Sequence, residues 1–102
     1  MPQYDVYELG RRASGKSFIV VLQHDGMYDL GTTFVAPLVP SNYFKHPFPV
    51  INPVVTIDEK DYIIRMEQMA AIAAKRLKEP VANISDKSYD ITKALDRLFS
   101  GI

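Results

Sequence analysis

The residues best suited to proton transfer or metal binding are two histidines, His24 and His46. Neither has an Asp, Glu or second His at metal-ligand spacing, and the chain has no cysteine, which removes disulfides and thiolate sites. No metal or other cofactor is expected, and both histidines read as loop residues. The stretch Gly10-Arg11-Arg12-Ala13-Ser14-Gly15-Lys16-Ser17 satisfies the phosphate-loop pattern GxxxxGK followed by Ser or Thr. That loop works by opening a helix, whose amino terminus supplies the phosphate with N–H donors. Here the apolar run Phe18-Ile19-Val20-Val21-Leu22-Gln23 follows instead, so the segment reads as a basic hairpin loop. There is no Gly-x-Ser-x-Gly elbow, and the acidic residues are scattered among turns rather than paired. No enzyme is expected. Three partner surfaces remain: the basic loop, the segment 39–53 and the carboxy-terminal tip.

The elements that must position these surfaces are mostly strands. Gln3 to Leu9 alternates, with Tyr4, Val6 and Glu8 on one side and Asp5 and Tyr7 on the other. Phe18–Gln23 is of strand length and apolar enough to be buried on both faces. An antiparallel pair is the simplest way to join it to the first strand. Asp25-Gly26 signals a turn, and Thr32–Leu38 reads as a third strand, stopped by Pro37 and Pro40. Residues 39–53 carry Pro40, Pro47, Pro49 and Pro53, which fix φ and remove donors. They form an irregular excursion that displays Tyr43, Phe44 and Phe48. Val54–Ile57 and Tyr62–Met66 form a hairpin around the charged turn Asp58–Asp61. Met66–Leu77, rich in Ala, Glu, Lys and Met, favours helix on local propensity.

Residues 85–102 predict a terminal helix. Ser85 is expected to cap it, Ile84 and Tyr89 have hydrophobic-staple spacing, and Ile91, Ala94, Leu95, Leu98 and Ile102 recur on one face. Lys93 and Arg97 suit the negative end of the helix dipole, and Gly101 is a natural stop.

At 102 residues the chain is expected to be a single domain, 1–102, whose small core dimerisation would supplement. Twelve basic and twelve acidic residues cancel, which argues against a general nucleic-acid binder. Neither a signal peptide nor a membrane-length apolar run is recognisable, so a cytoplasmic protein is expected.

Several stretches, taken in order, resemble the CcdB family of toxins from toxin–antitoxin pairs. They are Val6-Tyr7, Val35-Ala36-Pro37-Leu38, Pro53-Val54-Val55-Thr56-Ile57, Met69-Ala70 and the terminal run from Ala94 to Gly101-Ile102. The resemblance implies a mostly β fold: a homodimer of SH3-like curled antiparallel barrels, each with one carboxy-terminal helix. It further implies that the paired helix tips enter between the two A subunits of DNA gyrase and trap the cleaved-DNA complex. A cognate antitoxin then neutralises the dimer with a disordered tail, and the pair represses its operon, touching operator DNA through the antitoxin. The family tip is Trp-Gly-Ile; Gly101 and Ile102 match it, while Ser100 stands where the family has the tryptophan that stacks on gyrase arginines. Asp96 aligns near that contact with an acid in place of a polar amide, and His24 and Gly26 align with early-loop gyrase positions but differ in type. Arg11, Arg12, Tyr43 and Phe44 are assigned to the antitoxin, and Met69 and Ile72 to the dimer interface. The family runs through 66–77 as strand, against local propensity, and strand is the expectation adopted. Two alternatives stay open. One is a MazF-like toxin that cuts messenger RNA, for which Arg11, Arg12, Ser14 and Ser17 are of the right types. The other is a degenerate homologue that binds antitoxin without poisoning gyrase.

Overall fold

The computed structural model describes residues 2–12, 15–24 and 31–101; of Arg11, Arg12, Gly15 and Lys16 it describes the backbone alone. The turn expected at Asp25-Gly26 lies outside the described residues. Strands β1 (Asp5–Arg12) and β2 (Gly15–Val21) pair antiparallel, from Val6↔Val20 to Arg12↔Gly15. The expected loop 10–16 is therefore mostly strand, and Lys16-Ser17 does not open a helix. The register slips between Glu8 and Gly10, a bulge at which Gly10 takes φ +126°, a conformation that favours glycine.

Strand β3 (Thr32–Pro40) pairs with β2 along one edge, from Val21↔Val35 to Phe18↔Leu38. Its other edge is shared. Thr32–Val35 pairs with β6 (Ala70–Ala73), and Leu38–Pro40 pairs with β5 (Lys60–Ile64). Pro37 was expected to stop the strand; instead it sits inside β3, where the partner changes. The Arg65 N–H donates to the Pro37 carbonyl at 2.9 Å, so the missing proline donor faces the gap between β6 and β5. Strand β4 (Val54–Ile57) completes a hairpin with β5, closed by Ile57↔Lys60. Its two-residue turn, Asp58–Glu59, has φ +51° and +66°, a type I′ arrangement built without glycine. Strand β7 (Ala82–Asn83) pairs with the start of β1, and the sheet order is β4-β5-β3-β2-β1-β7 with β6 beside β3. This curled, nearly closed antiparallel barrel with a single carboxy-terminal helix is the expected fold class.

Both faces of the central strands are buried, as the apolar run in β2 predicts. Val6, Phe18, Val20, Ala36, Leu38, Tyr62 and Ile64 fill the barrel interior with Met66 and Ile84. Tyr7, Ile19, Val21 and Val35 form a second cluster with Leu77, against which Leu9 and Ile72 pack. Residues 66–77 are not a helix. A 3-10 turn at Met66–Gln68 leads into β6, and a second turn follows at Ala74–Arg76. Four residues of ladder with β3, and Met66 fully buried at 0%, outweigh the modest propensity of Ala, Glu and Lys for helix.

Helix α1 (Ser88–Ser100) starts three residues later than expected. Ser85 does not cap it: Ser85–Lys87 is a 3-10 turn, and the Ser85 N–H is taken by Asn83 Oδ1 at 3.0 Å. The side chain of Asn83, which also bonds the buried Asp5 at 2.8 Å, fixes this entry in place of a serine cap. Tyr89 does not complete a staple; it is 72% exposed, with Lys93 Nζ 5.3 Å from its ring centroid. Ile91 and Ala94 are buried, and Leu95 and Leu98 pack against the barrel interior, as the spacing predicts. Gly101 ends the helix in the left-handed conformation, φ +72°, donating to the Arg97 carbonyl at 3.1 Å.

Candidate partner-binding surfaces

The helix tip is the first surface. With Ile91, Ala94, Leu95 and Leu98 turned to the barrel, Asp96 and Ser100 fall on the opposite, exposed side of α1. Gly101 is exposed beyond them, and Ile102 lies outside the described residues. Phe99 was missed: its ring is 75% exposed, the most exposed large apolar side chain described. The sequence held part of the signal: Phe99 is four residues after Leu95 but lies at the margin of the face centred on Ile91 and Leu98. Of the early-loop pair, His24 is exposed just after β2, and Gly26 lies outside the described residues.

The second surface is at one end of the sheet. Register places the Arg11–Lys16 end of the β1–β2 hairpin at the same end as Pro40, where β3 passes into the 3-10 turn Ser41–Tyr43. Arg11, Arg12 and Tyr43 thus share one end of the barrel, with Tyr43 60% exposed. Phe44 is half-buried under Arg65, whose guanidinium carbon is 4.3 Å from the ring centroid.

Arg65 belongs to a polar hub that sequence reasoning did not find. Its Nε and Nη2 donate to Glu67 Oε2 at 3.0 and 2.8 Å. Glu67 Oε1 accepts from Asn52 Nδ2 at 2.8 Å, and the same amide donates to the Ile64 carbonyl at 3.2 Å. Asn52 Oδ1 accepts the Phe48 N–H at 2.7 Å, while the Asn52 N–H returns to the Phe48 carbonyl at 3.0 Å. Asn52, only 6% exposed, thereby closes the loop Phe48–Asn52 and ties it to the end of β5. Partial burial alone would raise the Glu67 carboxyl. The Asn52 hydrogen bond, its own backbone N–H, and the hydrogen bonds and charge of Arg65 outweigh that and hold it below the usual glutamate value. An Asn in a proline-rich segment carries no sequence signature of a hub, since its amide reaches Ile64 and Glu67, 12 and 15 residues away.

Two clefts flank the closed loop. One, of about 140 Å³, is lined by Phe44, His46, Phe48 and Ile51 with Asn52 and Glu67. The other, of about 170 Å³, lies between Val50 and Pro53 of the loop and Asp90 and Lys93 of α1.

The third surface surrounds β6. Met69 packs against the barrel interior and Ile72 against the second cluster, so the two expected interface residues lie on different layers. Phe34 was missed. It lies opposite Ala71, points away from buried Thr33 and Val35, and is 51% exposed.

Among the described residues, no three His, Cys, Asp or Glu side chains converge as metal ligands, and no helix is long and apolar enough to cross a membrane. A comparison with curated proteins finds no match. A family model described as CcdB protein matches residues 3–101, nearly the whole chain. The chain belongs to the CcdB family, the toxin halves of toxin–antitoxin pairs directed at DNA gyrase.

Proposed function

We propose that this chain acts in the cytoplasm as a homodimeric gyrase poison with no catalysis of its own. Its paired α1 tips enter between the A subunits and hold the cleaved-DNA complex, until a cognate antitoxin displaces them and, with the toxin, represses the operon. The observation that carries this reading is the tip itself. An apolar ring, Phe99, and a left-handed Gly101 close a helix whose other face packs on the barrel through Ile91, Ala94, Leu95 and Leu98. Phe34 and the β6 edge supply the surface through which two copies would present both tips together.

The test is a cleavage assay with purified gyrase and supercoiled DNA. The expected result is accumulation of linear DNA; a folded dimer that neither traps cleavage nor inhibits supercoiling would refute the proposal. Ser100→Trp adds an aromatic–guanidinium contact worth about 0.5–2 kcal/mol per tip, so gyrase affinity should rise by about 2- to 30-fold per tip. One observation, the serine at position 100, favours a second reading in which the chain binds antitoxin without poisoning gyrase. Harmless expression together with tight antitoxin binding would select it. RNA cleavage lost on changing Arg11 and Arg12 together would instead select the MazF-like alternative.

A further inference from the structure

The segment joining β6 to β7 crosses the face of β1–β2–β3 that lies opposite the barrel interior, and it is tied down as a strap. At one end the Ala74 N–H donates to the Gly31 carbonyl at 3.0 Å; at the other the Val81 N–H donates to the Val6 carbonyl at 2.7 Å. Between them Leu77 is buried with Tyr7, Ile19, Val21 and Val35, so the strap is held at its middle as well. The Leu77 backbone is extended, with φ −96° and ψ 117°. Successive side chains of an extended segment point to opposite sides, so Arg76 and Lys78 both face away from the sheet. Their Cα atoms stand about 6.6 Å apart, two steps of strand rise. Lys75 precedes them in the 3-10 turn, and all three side chains are exposed.

A strap that only covered this face would need the Leu77 anchor and nothing more. Instead it carries Lys75, Arg76 and Lys78 within four residues, against one acid, Glu79. Among the described residues the only ion pair is Arg65 with Glu67, so none of the three cations is neutralised within the chain. Confined like charges repel one another, a cost that a bound polyanion removes. Two features narrow the polyanion. Neither cleft described above is lined by a strap residue, so an acidic peptide finds no anchor pocket in either. The separation of Arg76 from Lys78, by contrast, is close to that of successive phosphates along one DNA strand. We infer that the ridge formed by Lys75, Arg76 and Lys78 is a contact for the phosphate backbone of duplex DNA, made by this chain itself. Such a contact holds the chain against the duplex without reading its sequence. It adds to any contact made through the antitoxin. With a formal net charge of zero over the whole chain, the attraction is local to the strap and weak away from DNA already at hand.

The experiment titrates the full-length protein into a short fluorescein-labelled DNA duplex of mixed sequence, read by fluorescence anisotropy over a series of KCl concentrations. Each phosphate neutralised contributes about −0.9 to the slope of log K against log [KCl]. Combining Lys75→Ala, Arg76→Ala and Lys78→Ala should therefore make the slope shallower by about 2.7 and weaken binding at low salt by about tenfold or more. Arg76→Lys keeps the charge and should keep the slope. Combining Lys45→Ala, Lys60→Ala and Lys93→Ala changes the net charge equally at exposed positions off the strap, and should leave the slope near that of the parent. No binding by the parent at low salt, an unchanged slope in the strap variant, or an equal loss in the off-strap variant would overturn the inference. So would polyglutamate held as tightly as the duplex, which would make the ridge a site for an acidic protein segment. A changed sedimentation coefficient in the strap variant would overturn it too, by placing the ridge between two copies of the chain. The titration contains neither gyrase nor antitoxin, so its outcome and that of the cleavage assay are independent.

Discussion

Replacing Asn52 by alanine removes three side-chain hydrogen bonds at once, at 2.7, 3.2 and 2.8 Å. The bonds to Phe48 N–H and the Ile64 carbonyl are neutral and contribute about 1 kcal/mol each, while the bond to the Glu67 carboxylate contributes about 1.5 kcal/mol or more. The sum is about 3.5 kcal/mol. Glu67 is one-third exposed, so water recovers part of its bond, and the expected loss is about 3 kcal/mol. Against a total of roughly 5–15 kcal/mol for a domain of this size, that is a large fraction. Thermal unfolding followed by circular dichroism, at fixed protomer concentration, should show Tm lowered by about 12–24 °C. Glu67→Gln keeps an acceptor for Asn52 and removes the charge, so it should cost less. It should also remove an acid-side dependence. With its folded-state pKa depressed, Glu67 contributes fully above the ordinary carboxylate range and loses that contribution as pH falls through the folded value. An Asn52→Ala variant that loses under about 1 kcal/mol would refute the hub as the clamp on the excursion.

The remaining predictions concern the frame. Glu59→Gly should stabilise the β4–β5 hairpin by about 0.5–1 kcal/mol, measured as a higher urea midpoint at unchanged slope, because glycine fits the left-handed second position of a type I′ turn. Burial, with the Asp5 and Glu79 carboxylates adding to it, raises the Tyr7 hydroxyl above its ordinary pKa. The associated stability is complete below about pH 10 and is lost as pH rises through the folded value, so Tyr7→Phe should flatten the alkaline limb of a stability–pH profile. Phe34→Ser should lower the dimer fraction at micromolar concentration in analytical ultracentrifugation while leaving the far-ultraviolet spectrum intact; an unchanged sedimentation coefficient would move the interface elsewhere.

Much of the frame was legible because it rests on period. Phe18–Val21 is apolar at every position and is buried on both sides, and Ile91, Ala94, Leu95 and Leu98 mark the inner face of α1. The errors share a cause: each was decided by a partner distant in sequence. Ala70–Ala73 is strand because Thr32–Val35 lies beside it, and Ser85 stays outside α1 because Asn83, bonded to Asp5 across 78 residues, fixes the chain's entry into the 3-10 turn. Pro37 stays within β3 because the sheet changes partner at that residue. The tip residues Asp96, Ser100 and Gly101 came from the family resemblance, and helix spacing puts Asp96 and Ser100 on the exposed side of α1. Asn52 and Phe34 required tertiary pairing to be seen.

Strand β3 is bordered by β2 along one side and by β6 and then β5 along the other. The β4–β5 hairpin and β6 both pair with the β3 edge that β2 leaves free, so the local β1–β2–β3 meander is predicted to form ahead of them. This sets an order of events for folding, in which the β1–β2–β3 meander forms first and the later segments add to its free edge. The pairings of β5 and β6 with β3 span tens of residues, so loop closure precedes their reward and folding is slowed. Core truncations in the meander, such as Val20→Ala, would then slow folding, whereas truncations in β5, such as Ile64→Ala, would chiefly hasten unfolding. A chain emerging from the ribosome would complete its meander well before the α1 tip is made. The scaffold would therefore be in place before the surface proposed to meet gyrase.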